Sequence, residues 1–282
     1  MILRAGESEI HVIPETGGAV AAWTWRGLPV MRSASNEDLA SGNPRRLGAY
    51  PLIPYSGRIA GGHFTWKGEE IRLPLNFPPE TVSIHGNAWQ SAWTIAEHTA
   101  DRALLTLDHA GDESWPFPYR AGLGFHLLPD GLDVAMHICA AAEMPAGLGW
   151  HPYFHRGPGA ALGFHAERVW IANAENIPER EVPPEGNYAF YPDRVLDDAV
   201  VDNCYSGWDR QARPQPPGIF VQMDADPVFT HLIAYTPAHH PYFCVEPASH
   251  APNAINRPEG MPVLAPGDVL EGGIRLRLAA SP

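Results

Sequence analysis

The chain has 282 residues, 45% of them hydrophobic, with 19 lysines and arginines against 32 aspartates and glutamates, a formal net charge of −13. Such a composition belongs to a globular chain that can bury a substantial core, and it excludes a disordered one. The acidic balance excludes the basic footprint that nucleic acid and anionic membrane surfaces require, so neither is expected as a partner. The three cysteines, Cys139, Cys204 and Cys244, are odd in number and form no C-x-x-C pair. They predict a reducing compartment rather than a disulfide framework. The opening MILRAGESEIHVIPETGG carries charges within its first ten residues. It has no apolar signal core, and no stretch of the chain approaches the roughly 20 apolar residues of a membrane span; a cytoplasmic location is expected.

In chain order, SEIHVI (8–13) and AVAAWTW (19–25) alternate and predict strands. The stretch from Arg32 to Leu47 allows a short helix. FTWKGEEIRLPL (64–75) reads as a hairpin turning near Lys67-Gly68. YRAGLGFHLLPDGLDVAMHICA (119–140) is clearer: Phe125 and Leu127 alternate on one arm, Pro129-Asp130-Gly131 turns, and Leu132, Val134, Met136 and Ile138 alternate on the other. RPQPPG (213–218) reads as a surface loop, and GGIRLRLAA (272–280) as a last strand. The 27 glycines and 30 prolines are spread along the chain and punctuate many short strands, which predicts a β-sandwich or barrel. No linker or repeat divides it, so residues 1–282 are expected to form one domain.

Four stretches combine ionisable groups with turn-like or aromatic surroundings: PYSGRIAGG (54–62), VSIHGNAW (82–89), GLGWHPYF (147–154) and CVEPASHAPNAIN (244–256); DDAVVDNCYSGW (197–208) is a weaker fifth. Singly, each has an ordinary reading. Arg58 fits a salt bridge, His85 a turn, His151 a packed imidazole, Glu246 a strand-end carboxylate and Asp202 a wet acidic loop. Together they carry more. His151 and Glu246 each follow apolar or aromatic neighbours and precede a proline, which stiffens the preceding backbone. A histidine and a carboxylate are also the commonest proton-transfer pair near neutral pH.

Taken together, HPYF (151–154), IHG (84–86), VEP (245–247) followed by NAIN, PETGG (14–18) and DNCYSGW (202–208) resemble the aldose 1-epimerase, or galactose mutarotase-like, family, in the expected order and over nearly the whole chain. The resemblance implies an all-β fold, a large antiparallel β-sandwich of the galactose mutarotase-like supersandwich type. It implies interconversion of the α and β anomers of a free sugar with no metal and no organic cofactor. By motif, Glu246 would be the general base and His151 the general acid, while Arg58, His85 and Asp202 would hold the sugar. Trp150, Tyr153 and Trp208 could offer apolar faces for a sugar ring, although core packing is the expected job of most of the nine tryptophans. Two positions depart from the pattern: Gly57 stands where many relatives have asparagine, and His63 where arginine is common. Three other readings stay open. One is a sugar-binding sandwich without turnover. Another is a metal-dependent barrel drawing on the 14 histidines, such as His151 with His155 or the adjacent His239-His240. The third is an epimerase of a phosphorylated or otherwise modified sugar, which the net charge disfavours but Arg45-Arg46 and Arg120 could serve.

Overall fold

The 119–140 pattern closes as expected. Tyr119–Leu128 and Gly131–Ala140 pair antiparallel from Tyr119 opposite Ala140 to Leu128 opposite Gly131. Phe125, Leu127, Leu132, Val134, Met136 and Ile138 are all buried, because a period of two sends every second side chain to one face. The structure is a computed structural model that describes residues 1–197 and 199–281.

This hairpin forms the third and fourth strands of a nine-stranded antiparallel sheet whose central strand is the last one, Val269–Ala280, between Gly131–Ala140 and Ile219–Ala225. An eight-stranded antiparallel sheet runs Pro178–Val182, Arg168–Ala172, Asp202–Ser206, His231–Tyr235, Tyr242–Ala248, Gly149–Trp150 and Pro51–Leu52, with Tyr153–His155 added on Tyr242–Ala248. Between the two lies one continuous core. Leu123, Val134 and Ile274 of the nine-stranded sheet share it with Val169, Tyr205, Leu232, Phe243 and Val245 of the eight-stranded sheet. The fold is therefore the large antiparallel β-sandwich expected from the sequence. The two alternating N-terminal segments become Ser8–Ile13 and Ala19–Trp25 of a four-stranded sheet.

The hairpin turning at Lys67-Gly68 forms between His63–Trp66 and Glu69–Arg72. The helix allowed between Arg32 and Leu47 is the single turn-and-a-half Asn36–Ala40, capped by Ser35, with a 3₁₀ turn at Pro44–Arg46 behind it. Among the described residues no helix is long and apolar enough to cross a membrane. One expectation is corrected. Arg213 to Gln215 of RPQPPG belong to the strand Gln211–Gln215 of the nine-stranded sheet, not to a loop. The ladder to Ile219–Ala225 covers only Gln211 and Ala212, so the missing N–H of Pro214 faces no partner on that side and costs the sheet nothing there.

Candidate active site

The same alternation that fills the core builds a cleft on the opposite face of the eight-stranded sheet. In Tyr242–Ala248, Phe243 and Val245 point into the sandwich, whereas Tyr242, Cys244 and Glu246 line the cleft. Its neighbours follow suit: Ile233 and Tyr235, Asp202 and Cys204, and Trp170 and Ala172 all line it. Register fixes their rows. Ile233 lies opposite both Glu246 and Cys204, and Tyr235 lies opposite both Cys244 and Asp202. Segments from residues 32–58 and 77–85 close the other side, enclosing about 630 Å³, the size class of a small-molecule site.

All five residues singled out in the sequence line this cleft: Arg58, His85, His151, Asp202 and Glu246. His151 Nε2 lies 3.2 Å from Glu246 Oε1, with both side chains buried. The imidazole stacks on Tyr153 at 4.5 Å with 17° between planes, and lies 4.8 Å from Tyr50. The two phenols join at 3.1 Å, and the His151 N–H donates to the Tyr50 carbonyl at 3.0 Å. The aromatic company of His151 in GLGWHPYF is thus a clamp that sets the ring's angle.

His85 sits 5.4 Å from His151, ring to ring and nearly perpendicular. Its φ of 64°, followed by 70° at Gly86, makes IHG a left-handed pair. At Gly86 a Cβ would lie 2.2 Å from the Ile53 carbonyl oxygen, so only glycine fits. The strained backbone aims the ring. The Gly57 N–H donates to His85 Nδ1 at 3.1 Å, which leaves Nε2 carrying the proton. Gly57 itself has φ 73°, and a Cβ there would come within 2.8 Å of Pro252. Where many relatives carry an asparagine side chain, this chain has the Pro252 ring.

Arg58 is held by a two-pronged bond to Glu80, at 2.8 and 3.3 Å, with Asp202 at 3.9 Å. Burial dominates the electrostatics. It pushes the Glu246 carboxyl well above its ordinary range, an effect reinforced by Asp202 and opposed by Arg58. It pulls His151 down to about 3, with the positive charge of Arg32 adding to the effect. His85 is lowered for the same first reason and then by His151. Asp202 is raised by burial against the pull of Arg58. The two contacting groups therefore favour the form in which both are neutral, with one ionisable proton on the pair.

Two of the three aromatics offered as sugar faces belong to the core instead, the job expected of most of the tryptophans. Trp150 is fully buried in the core, and Trp208 is buried with its Nε1–H donating to the Gln211 carbonyl at 2.7 Å; neither lines the cleft. His63 is exposed on its hairpin and also lies outside it. Tyr153 does line the cleft, and so do Arg45 and Arg46, which the sequence offered only for a modified sugar, together with residues the sequence reading passed over: Tyr50, Phe77, Glu80, Trp170, Tyr242 and Arg32. Alternation flanking Glu246 and Asp202 could have found Tyr242 and Cys204; nothing local marks Glu80 or Phe77. The histidine pairings proposed for a metal do not form at the cleft, since His155 and His239 lie outside its lining. The ligand-type atoms of His151, Cys244 and Glu246 do lie within 4.8 Å of one another. Burial holds the Cys244 thiol well above its ordinary range, with Glu246 adding to the effect, which suits a protonated thiol rather than a thiolate ligand.

Residues 3–277 match the family model for aldose 1-epimerase. An uncharacterized Escherichia coli K12 protein, YphB, is 29% identical over 288 residues, covering 94% of each chain. The crystal structure of a candidate aldose 1-epimerase from Escherichia coli K12 superposes with a TM-score of 0.89 at 27% identity, covering 99% of this chain and 98% of that one. A galactose mutarotase-like protein from Clostridium acetobutylicum shares the fold at 20% identity, TM-score 0.87, over 99% and 95% of the two chains. The chain belongs to the aldose 1-epimerase family.

Proposed function

We propose that this member of the aldose 1-epimerase family interconverts the α and β anomers of an aldose, with Glu246 and His151 as the proton-transfer pair. The carrying observation is their 3.2 Å contact, buried at the base of a sugar-sized cleft. A pyranose is a hemiacetal. Opening it removes the proton of the C1 hydroxyl and delivers one to the ring oxygen. Both oxygens are bonded to C1, so the base and the acid must be neighbours, each within hydrogen-bond reach.

A pair sharing one proton suits this exchange. When Glu246 takes the hydroxyl proton, His151 delivers its own to the ring oxygen. The C1–O5 bond breaks, the aldehyde forms and turns about C1–C2, and the two groups reverse roles as the ring closes on the other face. Entry of the sugar shifts the shared proton toward His151, because the hydroxyl donates to the Glu246 carboxylate and Arg58 favours its charge. His85, with its proton on Nε2, is a neutral donor beside them, and Arg58 and Asp202 form the polar wall that orients the hydroxyls. The test is polarimetry on freshly dissolved α-anomers of glucose, galactose, xylose and arabinose. Acceleration by the wild type, lost in Glu246→Gln and His151→Asn with unchanged circular dichroism, supports the reading. Wild-type rates in either variant remove that residue from the mechanism.

A further inference from the structure

Four arginines line the cleft in a chain of net charge −13, and they differ in what they are bound to. Arg58 is spent on Glu80 and Asp202. Arg46 faces Glu37 at 3.5 Å and Asp38 at 3.7 Å. Arg32 and Arg45 have no carboxylate within 4.0 Å among the described residues, yet both are held in place.

Arg32 donates to the backbone carbonyls of Leu47 and Arg45 and lies over the Tyr153 and Tyr242 rings, at 4.1 and 4.7 Å. Arg45 lies over Phe77 at 3.8 Å. Neutral carbonyls and aromatic faces fix these guanidiniums without neutralising them. Half-buried, preorganised charges with no carboxylate partner are what an anion site needs. The negative balance of the whole chain, which at first argues against an acidic ligand, makes two unpaired cations on one wall the more unusual.

We propose that Arg32 and Arg45 form an anion subsite, so that the substrate is an aldose carrying a carboxylate or phosphate group away from C1. The inference rests on the epimerase reading for its chemistry but not for its binding. It also gives the arginines a catalytic consequence. Arg32 and Arg45 both disfavour a proton on His151. An anion bound between them offsets that repulsion and lets His151 hold the proton that the ring oxygen must receive. An anionic substrate would thus assist its own turnover, acting through the Arg32–Tyr153–His151 stack.

The experiment compares three classes of sugar by exchange NMR, after subtracting the uncatalysed rate: glucose and galactose, glucuronate and galacturonate, and glucose 6-phosphate and galactose 6-phosphate. The proposal expects kcat/KM for one anionic class to exceed that of its neutral parents by roughly tenfold or more, the scale of one charge-assisted bond. The carboxylate and phosphate arms identify which anion it is. In Arg45→Gln the anionic-to-neutral ratio falls by about the same factor, and Arg45→Lys recovers part of it. Neutral sugars turned over as well as both anionic classes, or a ratio unmoved in Arg45→Gln, overturns the proposal. If no sugar is turned over, the epimerase reading fails separately. Calorimetric titration of galacturonate and galactose 6-phosphate then decides the subsite: binding lost in Arg45→Gln sustains it, and no binding sinks it.

Discussion

The Tyr153 ring lies parallel to the His151 imidazole, 4.5 Å away and 17° from coplanar. Two residues apart in HPYF, they share a face because the chain passes directly into the strand Tyr153–His155. Tyr153 also has Arg32 over its ring, at 4.1 Å, and bonds Tyr50 through its hydroxyl. The acid thus takes its orientation from a stack rather than from a loop. Replacing Tyr153 with leucine removes the stack while keeping an apolar filling, and kcat should fall by roughly tenfold or more, since a misplaced proton donor loses rate steeply. Tyr153→Phe keeps the stack and should stay within a few-fold of wild type. Steady-state kinetics on both variants checks this; equal rates in Tyr153→Leu would show that the stack does not position the acid.

The pH dependence follows from the shared proton. His151 accepts a second proton on the pair only near its depressed value of about 3. The single proton leaves only above the raised range of Glu246. The number of protons on the pair is therefore constant as pH passes 6.5, the ordinary histidine value. For a neutral sugar, the enzymatic rate should stay level between about pH 5 and 7, once buffer catalysis is subtracted. An inflection centred near 6.5 would instead mean that an imidazole titrates freely at the site.

Much of this site was legible in the chain because its parts are local. The 119–140 hairpin follows from period-two alternation and a Pro-Asp-Gly turn, and Tyr242, Cys244 and Glu246 share a face for the same reason. His85 and Gly86 mark a left-handed turn that few residue pairs accept. What stayed hidden depends on long-range register. Glu80 reaches Arg58 only because the strand Arg58–Ala60 pairs with Val82–Ile84. Trp170 and Tyr235 reach the cleft through sheet neighbours distant in sequence. Trp150 and Trp208 could be read as sugar platforms or as core because composition cannot tell to which side of the backbone an indole turns. Pro214 looked like a loop because the sequence does not reveal that its strand leaves one neighbour early.

Gly57 offers a test of how the cleft tolerates the family's more common residue. Its φ of 73° strains any side chain, and a Cβ would sit 2.8 Å from the Pro252 ring. Gly57→Asn should therefore lower stability by about 1–3 kcal/mol, asparagine being among the residues least penalised at positive φ but still meeting the proline. The double variant Gly57→Asn/Pro252→Ala should recover part of that loss. Urea unfolding of the two variants measures it; a stability for Gly57→Asn equal to wild type would mean that the loop shifts to make room.

His250 carries a prediction about folding rather than catalysis. It lies outside the cleft, buried, with the Ser56 N–H donating to its Nε2 at 3.2 Å and its Nδ1–H donating to the Ala251 carbonyl at 2.8 Å. Both nitrogens are committed in the neutral form, and burial lowers the group from 6.5 to about 4. A depressed histidine binds its proton less readily in the folded state than in the unfolded state. The unfolded chain therefore gains protons first as pH falls, and the stability His250 contributes is present above 6.5 and lost progressively down to about 4. His250→Gln should be clearly destabilised at neutral pH, and its deficit relative to wild type should shrink on acidification. The shrinkage is on the order of 3 kcal/mol for a group shifted this far. Denaturant unfolding of both proteins at pH 7 and pH 4.5 isolates this residue from the opposing contributions of Asp202 and Glu246, which both proteins retain. A deficit that stays constant between the two pH values would mean that His250 is not held neutral by the fold.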